Sequence, residues 1–195
     1  VTEDAMAGNC TVGRFTIFLL VCVCAAVTGA TAHAGELENA LVKATSEGKV
    51  DEVKKLLEQG VDPNAKDENG EVTLQWAWRQ DRLEILKLLL EKGADPNVTD
   101  TAGDTPLIKA SQMENLKTVK LLLEHGADPN KQASDGATAL MKACIFGHYD
   151  VAKLLLDNGA DYTLKDRRGF TALAVAQKNN EQKVVKLLQE RGATE

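Results

Sequence analysis

Glycine recurs in this sequence at a fixed interval. Gly60, Gly93, Gly126, Gly159 and Gly192 stand 33 residues apart, in the contexts GVDPN, GADPN, GADPN, GADYT and RGATE. A second series, Gly70, Gly103, Gly136 and Gly169, keeps the same interval of 33. Two phased series without an insertion restrict the chain to a tandem array, in which one supersecondary unit repeats and each copy buries its apolar face against the next.

The residues ahead of the first series define one element of the unit. Val50, Val53, Leu56 and Leu57 recur as Leu83, Leu86, Leu89 and Leu90, then as Leu116, Val119, Leu122 and Leu123, then as Tyr149, Ala152, Leu155 and Leu156. Their spacing of 3, 3 and 1 lays an apolar stripe along a 3.6-residue helix. The glycine that follows sits where a helix ends in a left-handed cap, a conformation costly for residues with a Cβ.

A second, shorter helix follows the other glycine series. In its clearest copy, Gly103-Asp104-Thr105-Pro106-Leu107, Thr105 is placed to cap the helix and Pro106 to occupy its first turn, where a missing N–H costs nothing. Ala77, Ala110, Ala143 and Ala176 keep this helix slim enough to approach its neighbours. Turn-rich segments such as Asn97-Val98-Thr99-Asp100-Thr101-Ala102-Gly103 join one helix pair to the next through a hairpin-like loop.

The pattern resembles the ankyrin repeat. Its carriers are Asp100, Gly103, Thr105-Pro106-Leu107, Ala110, Leu121-Leu122-Leu123 and Gly126-Ala127-Asp128-Pro129-Asn130, with weaker copies on either side across 35–195. The resemblance implies an all-α repeat solenoid: an ankyrin stack of about five helix-turn-helix repeats joined by hairpin loops, at 35–66, 67–99, 100–132, 133–165 and 166–195. The sequence departs from the family pattern in one respect. The histidine usual after Thr-Pro-Leu is Gln75, Ile108, Met141 and Ala174, so its hydrogen bonds between repeats are absent or made in another way.

End repeats of a stack expose one face that middle repeats bury. Glu52 and Lys55 stand where the second repeat has Ile85 and Leu88, and Gln182 and Gln189 replace stripe residues in the last copy. These substitutions read as caps and imply a monomer.

The N-terminal stretch is of another kind. From Phe15 to Val27 it reads FTIFLLVCVCAAV, preceded by Arg14 and followed by small residues ending Ala32-His33-Ala34. That order is expected of a secretory signal at 1–34, cleaved between Ala34 and Gly35, with Met6 or Val1 as the start. The strongly apolar part is about 13 residues, short of the roughly 20 that a membrane span needs. A lipoprotein signal would place a small residue before Cys22 or Cys24, where Val21 and Val23 stand. After cleavage Cys144 is the one cysteine left, so the domain would be exported without an internal disulfide, to the periplasm or the medium.

Chemistry-bearing motifs do not emerge. The sequence has no H-E-x-x-H, paired C-x-x-C, P-loop or dinucleotide fingerprint, and no catalytic, metal or cofactor site is expected. The net charge of −6 and the lack of a basic stripe argue against nucleic acid. His125, His148 and Cys144 all occupy repeat positions, where packing roles are expected.

What remains is a binding role. The resemblance implies that hairpin tips and the exposed ridge of the short helices line a concave groove, with acidic tips giving way to basic ones along it. Large aromatic and arginine side chains dominate protein interfaces. The expected partner-binding residues are therefore Trp76, Arg79, Asp104, Met113, Phe146, Arg167, Arg168 and Phe170. Trp76 and Trp78 are two residues apart, about 200° round a helix, so they cannot both face a groove. Trp78 is expected to fill the position of Ser111 and Cys144. The function expected is non-catalytic binding of a protein partner; the alternative is an accessory or inhibitory subunit of a periplasmic enzyme.

Overall fold

The computed structural model describes residues 35–194. The apolar segment and its expected cleavage site lie outside the described residues. Helices run in pairs: α1 over 35–47 with α2 (Val50–Glu58), α3 (Thr73–Arg79) with α4 (Leu83–Glu91), α5 (Pro106–Gln112) with α6 (Leu116–Glu124), α7 (Ala139–Phe146) with α8 (Tyr149–Asp157), and α9 (Ala172–Lys178) with α10 (Gln182–Glu190). The odd-numbered helices form an inner layer and the even-numbered ones an outer layer. Each of α3, α5, α7 and α9 packs on its outer partner, and successive inner helices from α3 to α9 pack on one another.

The core is periodic because the sequence is. Leu74, Leu107, Leu140 and Leu173 occupy one position of the inner helix and are buried in every copy, as are Ala77, Ala110, Ala143 and Ala176. Leu56, Leu89, Leu122, Leu155 and Leu188 do the same in the outer layer. Removing a methylene-rich side chain from such a site costs roughly 2–5 kcal/mol. The first stripe position differs from expectation: Leu116 and Tyr149 sit in the opening turn of their helices, beyond the layer interface, and are exposed. Glu52, Lys55, Gln182 and Gln189 lie on exposed faces, whereas Ile85 is buried.

Caps follow the sequence closely. Thr105 accepts from the Ile108 N–H at 3.2 Å, with Pro106 in the first turn, and Thr138 and Thr171 cap α7 and α9 in the same way. Val72 has no acceptor to offer α3. There Gln75 bends back instead, its Oε1 accepting from the Val72 N–H at 3.2 Å. The missing histidine is thus replaced by one local hydrogen bond at Gln75 and by apolar burial of Ile108 and Met141.

One recurring contact between repeats is made by asparagine. Asn64, Asn97 and Asn130 each accept from a main-chain N–H in the next repeat, those of Asp95, Asp128 and Asp161, at 2.7–2.8 Å. Each returns an amide N–H to the carbonyl of Gly93, Gly126 or Gly159. Thr163 takes the fourth position and is too short to continue the ladder; it binds Asp161 instead. A cleft of about 340 Å³ lies there, lined by Tyr162, Thr163, Leu173, Gly192 and Thr194 among others.

Another periodic feature closes each inner helix. Gly48, Asp81, Glu114, Gly147 and Asn180 occupy one repeat position, and all have φ between 53° and 75°. Two copies use glycine, as the left-handed region favours; three hold a side chain there at a cost.

Candidate functional site

Among the described residues, four hairpin tips stand in a row beside the exposed ridge of the inner helices. Each tip is a tight turn closed by a main-chain bond, such as Gly70 N–H to Asp67 O and Gly103 N–H to Asp100 O, both 2.9 Å. Asp67, Asp100 and Asp166 stiffen three of them by accepting two main-chain N–H groups on one carboxylate oxygen. Burial opposes the charge on Asp67 and Asp166, yet these donors outweigh it. The Trp76 indole adds to them at Asp67, and the Arg168 guanidinium at Asp166, so both carboxyls titrate below the ordinary aspartate value. Ala133 replaces the aspartate in the remaining tip, where Asp135 accepts from the Ala137 N–H.

Tip and ridge touch in each of the four repeats that carry a tip, which joins them into one face. Trp76 donates its indole N–H to Asp67 at 3.2 Å. Lys109 reaches Asp104 at 2.5 Å and Asp100 at 3.6 Å. Burial disfavours the Lys109 ammonium, but these two carboxylates hold its pKa above the ordinary value. Lys142 pairs with Asp135 at 3.1 Å, and Lys178 lies over the Phe170 ring, 4.9 Å from its centroid.

Seven of the eight expected partner-binding residues fall into three groups. Trp76 and Arg79 sit at the N-terminal end of the face, Trp76 half-buried in a recess of about 360 Å³ with Val42, Lys43, Ser46, Asp67 and Asn69. Arg79 is paired with Glu71 and packs against Trp78. Trp78 fills the Ser111 and Cys144 position, half-buried, with its indole N–H buried and unpartnered. The two tryptophans thus divide between face and packing.

Arg167, Arg168 and Phe170 sit together on the last tip. Arg168 pairs with Asp166 at 2.9 Å and lies 5.4 Å from the Phe170 ring centroid. Arg167 anchors its tip through the main chain, its N–H donating to Asp135 O at 3.0 Å, and leaves its side chain exposed.

Met113 and Phe146 are exposed at one repeat position, at the C-terminal ends of α5 and α7. Phe146 stacks on His148, and Leu116 and Tyr149, three residues further on in each copy, are exposed as well. Asp104 stands apart from the group expected to meet a partner. It is 9% exposed and held by Lys109, so its carboxylate is engaged inside the protein.

Lys109 and Lys142, which are not among the expected residues, neutralise the tips beside them. Their signal was present: both stand one position before the small residue of the inner helix, 33 residues apart.

The residues considered for chemistry have structural partners. His125 donates from Nδ1 to Leu121 O at 2.9 Å, and His148 donates from Nε2 to Gln112 O at 3.1 Å. Cys144 is fully buried, and burial pushes its thiol up to about 12. Among the described residues no group of three His, Cys, Asp or Glu is placed to hold a metal ion, and no helix is long and apolar enough to cross a membrane.

No curated protein matches this chain. The family described as ankyrin repeats (3 copies) matches in overlapping stretches, residues 13–100, 40–133, 93–166 and 131–194. With paired helices and tight hairpin tips across the described residues and a 33-residue period in the sequence, the chain belongs to the ankyrin-repeat family.

Proposed function

We propose that this protein works by binding a partner protein on the face formed by its tips and inner-helix ridge. Ankyrin repeats are in general protein–protein interaction modules, and the family is typically non-catalytic. The observation that carries the reading is a contrast within the repeats. Core positions repeat their residue, as Leu74, Leu107, Leu140 and Leu173 do. Face positions change it: Glu68, Thr101, Ser134 and Arg167 on the tips, and Arg79, Gln112, Ile145 and Lys178 on the ridge. A scaffold that only had to stack would gain nothing from varying one face.

In this reading the face is the concave groove of the stack, the protein acts as a monomer, and the segment ending at Ala34 exports it. Edman sequencing of the mature protein would then begin at Gly35. Affinity capture from the native compartment tests the groove: Trp76→Ala, or Arg167→Glu with Arg168→Glu, weakens recovery of the partner while circular dichroism stays unchanged. Equal recovery by all three proteins rules the face out. If the captured partner is an enzyme, its activity with and without this protein distinguishes an accessory from an inhibitory role.

A further inference from the structure

We propose that the C-terminal end of this face receives an acidic-apolar peptide segment, which sets acidic side chains against Arg167 and Lys178 and an apolar side chain against Phe170. The inference rests on the reading of this face as the partner surface, and adds the chemistry of the partner.

Most charges on the face are already matched. Arg79 has Glu71, Lys109 has Asp104 and Asp100, Lys142 has Asp135, and Arg168 has Asp166. Among the described residues, Arg167 and Lys178 have no carboxylate of this chain within 4.0 Å. Glu181, the acidic residue nearest to Lys178 in sequence, turns to the adjoining turn, where its carboxylate occupies the space a Cβ on Gly147 would need. Asp166 is spent on the Arg168 side chain and on the N–H groups of Arg168 and Phe170. The last tip is therefore locally positive in a chain whose net charge is −6.

The same place offers apolar surface. Phe170 is half-buried and lines a recess of about 190 Å³ with Ile145, Val175 and Lys178. Lys178 and Arg168 attend one ring, at 4.9 and 5.4 Å from its centroid. Cations over a ring face are held by its quadrupole while keeping donors free for an incoming anion. A carboxylate alone would gain little at an exposed site, because each such pair contributes no more than about 1 kcal/mol. Charge beside an apolar anchor gives both orientation and affinity.

The test uses the full chain and short fluorescein-labelled peptides of three kinds: Glu/Asp alternating with Leu/Phe, Lys/Arg alternating with Leu/Phe, and Gln/Asn alternating with Leu/Phe. Fluorescence anisotropy is expected to show tightest binding for the acidic peptide, weakening with salt. Arg167→Glu combined with Lys178→Glu should weaken it about tenfold or more, with an unchanged melting curve, and Lys117→Glu, exposed on the outer helix α6, should leave it unaltered. Equal or tighter binding of the basic peptide, no binding of the acidic one, or indifference to the double reversal overturns the proposal. Amide NMR shifts separate the two levels. Acidic-peptide shifts confined to the first two tips sink this inference and leave the face reading intact, whereas shifts confined to the outer helices α4, α6 and α8 sink both.

Discussion

The side-chain oxygen of Asn97 accepts the main-chain N–H of Asp128, 31 residues further on, at 2.8 Å, while its amide donates to Gly126 O at 3.3 Å. One short side chain thereby joins two repeats through their backbones. In a stack, stability is set by such nearest-neighbour terms as much as by the repeats themselves. Asn97→Ala should cost about 1 kcal/mol for the lost bonds, and hydrogen exchange at Asp128 should quicken. Adding the missing rung is the converse experiment. Thr163→Asn should bond the fourth repeat to Gly192 and Thr194 and slow amide exchange in α10. Unchanged exchange in α10 would show that the ladder is not what holds the last repeat.

Glu114 occupies the left-handed end of its inner helix at φ 58°, where Gly147 stands one repeat later. Its carboxylate lies 3.5 Å from His148 but is 63% exposed, so the contact compensates little. Glu114→Gly should raise stability by roughly 1 kcal/mol, the usual strain of a side chain in this region, read as a shift in urea midpoint at constant slope. Gly136→Ala should do the opposite, and more strongly. A Cβ there would lie 2.7 Å from the Arg167 main-chain nitrogen, so the substitution must push the last two tips apart.

Acid should loosen the tips first. The carboxyls of Asp67, Asp135 and Asp166 lie below the ordinary value of 3.8 in the folded protein. A depressed folded pKa contributes stability that is fully present above the unfolded value and is lost as pH falls through the folded one. Denaturant midpoints should therefore be insensitive to these groups between pH 5 and 7, about the neutral range, and fall below about pH 4. In Asp67→Asn combined with Asp166→Asn the midpoint should start lower and fall less steeply; an acid limb identical to the parent's would remove these two groups as its cause.

Cys144 should behave as a core residue. With the thiol fully buried and its pKa pushed up to about 12, alkylation by iodoacetamide at pH 8 should spare it in the native protein and modify it on unfolding in urea. Mass spectrometry of the peptide containing Cys144 reads this site alone. Rapid native modification would mean that α7 opens far more readily than its packing suggests.

Much of this was legible beforehand because the repeat prints the same physical requirement several times. The leucine stripes beyond their first position, the small residues of the inner helix and the Thr105 cap each follow from local geometry, and each sits where the spacing puts it. Lys109 and Lys142 were not read as tip partners, since nothing in sequence says that a lysine on a helix will bend to an aspartate in the loop before it. The pairing of Asp104, an expected partner residue, with Lys109 was not legible for the same reason.

The amino-acid sequence by itself determined the architecture: a 33-residue period of stripe, cap and turn has one way to bury its apolar side chains, by stacking. Only the tertiary structure decided which side chains of the exposed face are spent on one another. Pairing depends on distances between tip and ridge that no spacing encodes, and it leaves Trp76 bound to its tip, Trp78 packed beneath Arg79, and Arg167 and Lys178 with charge still to offer.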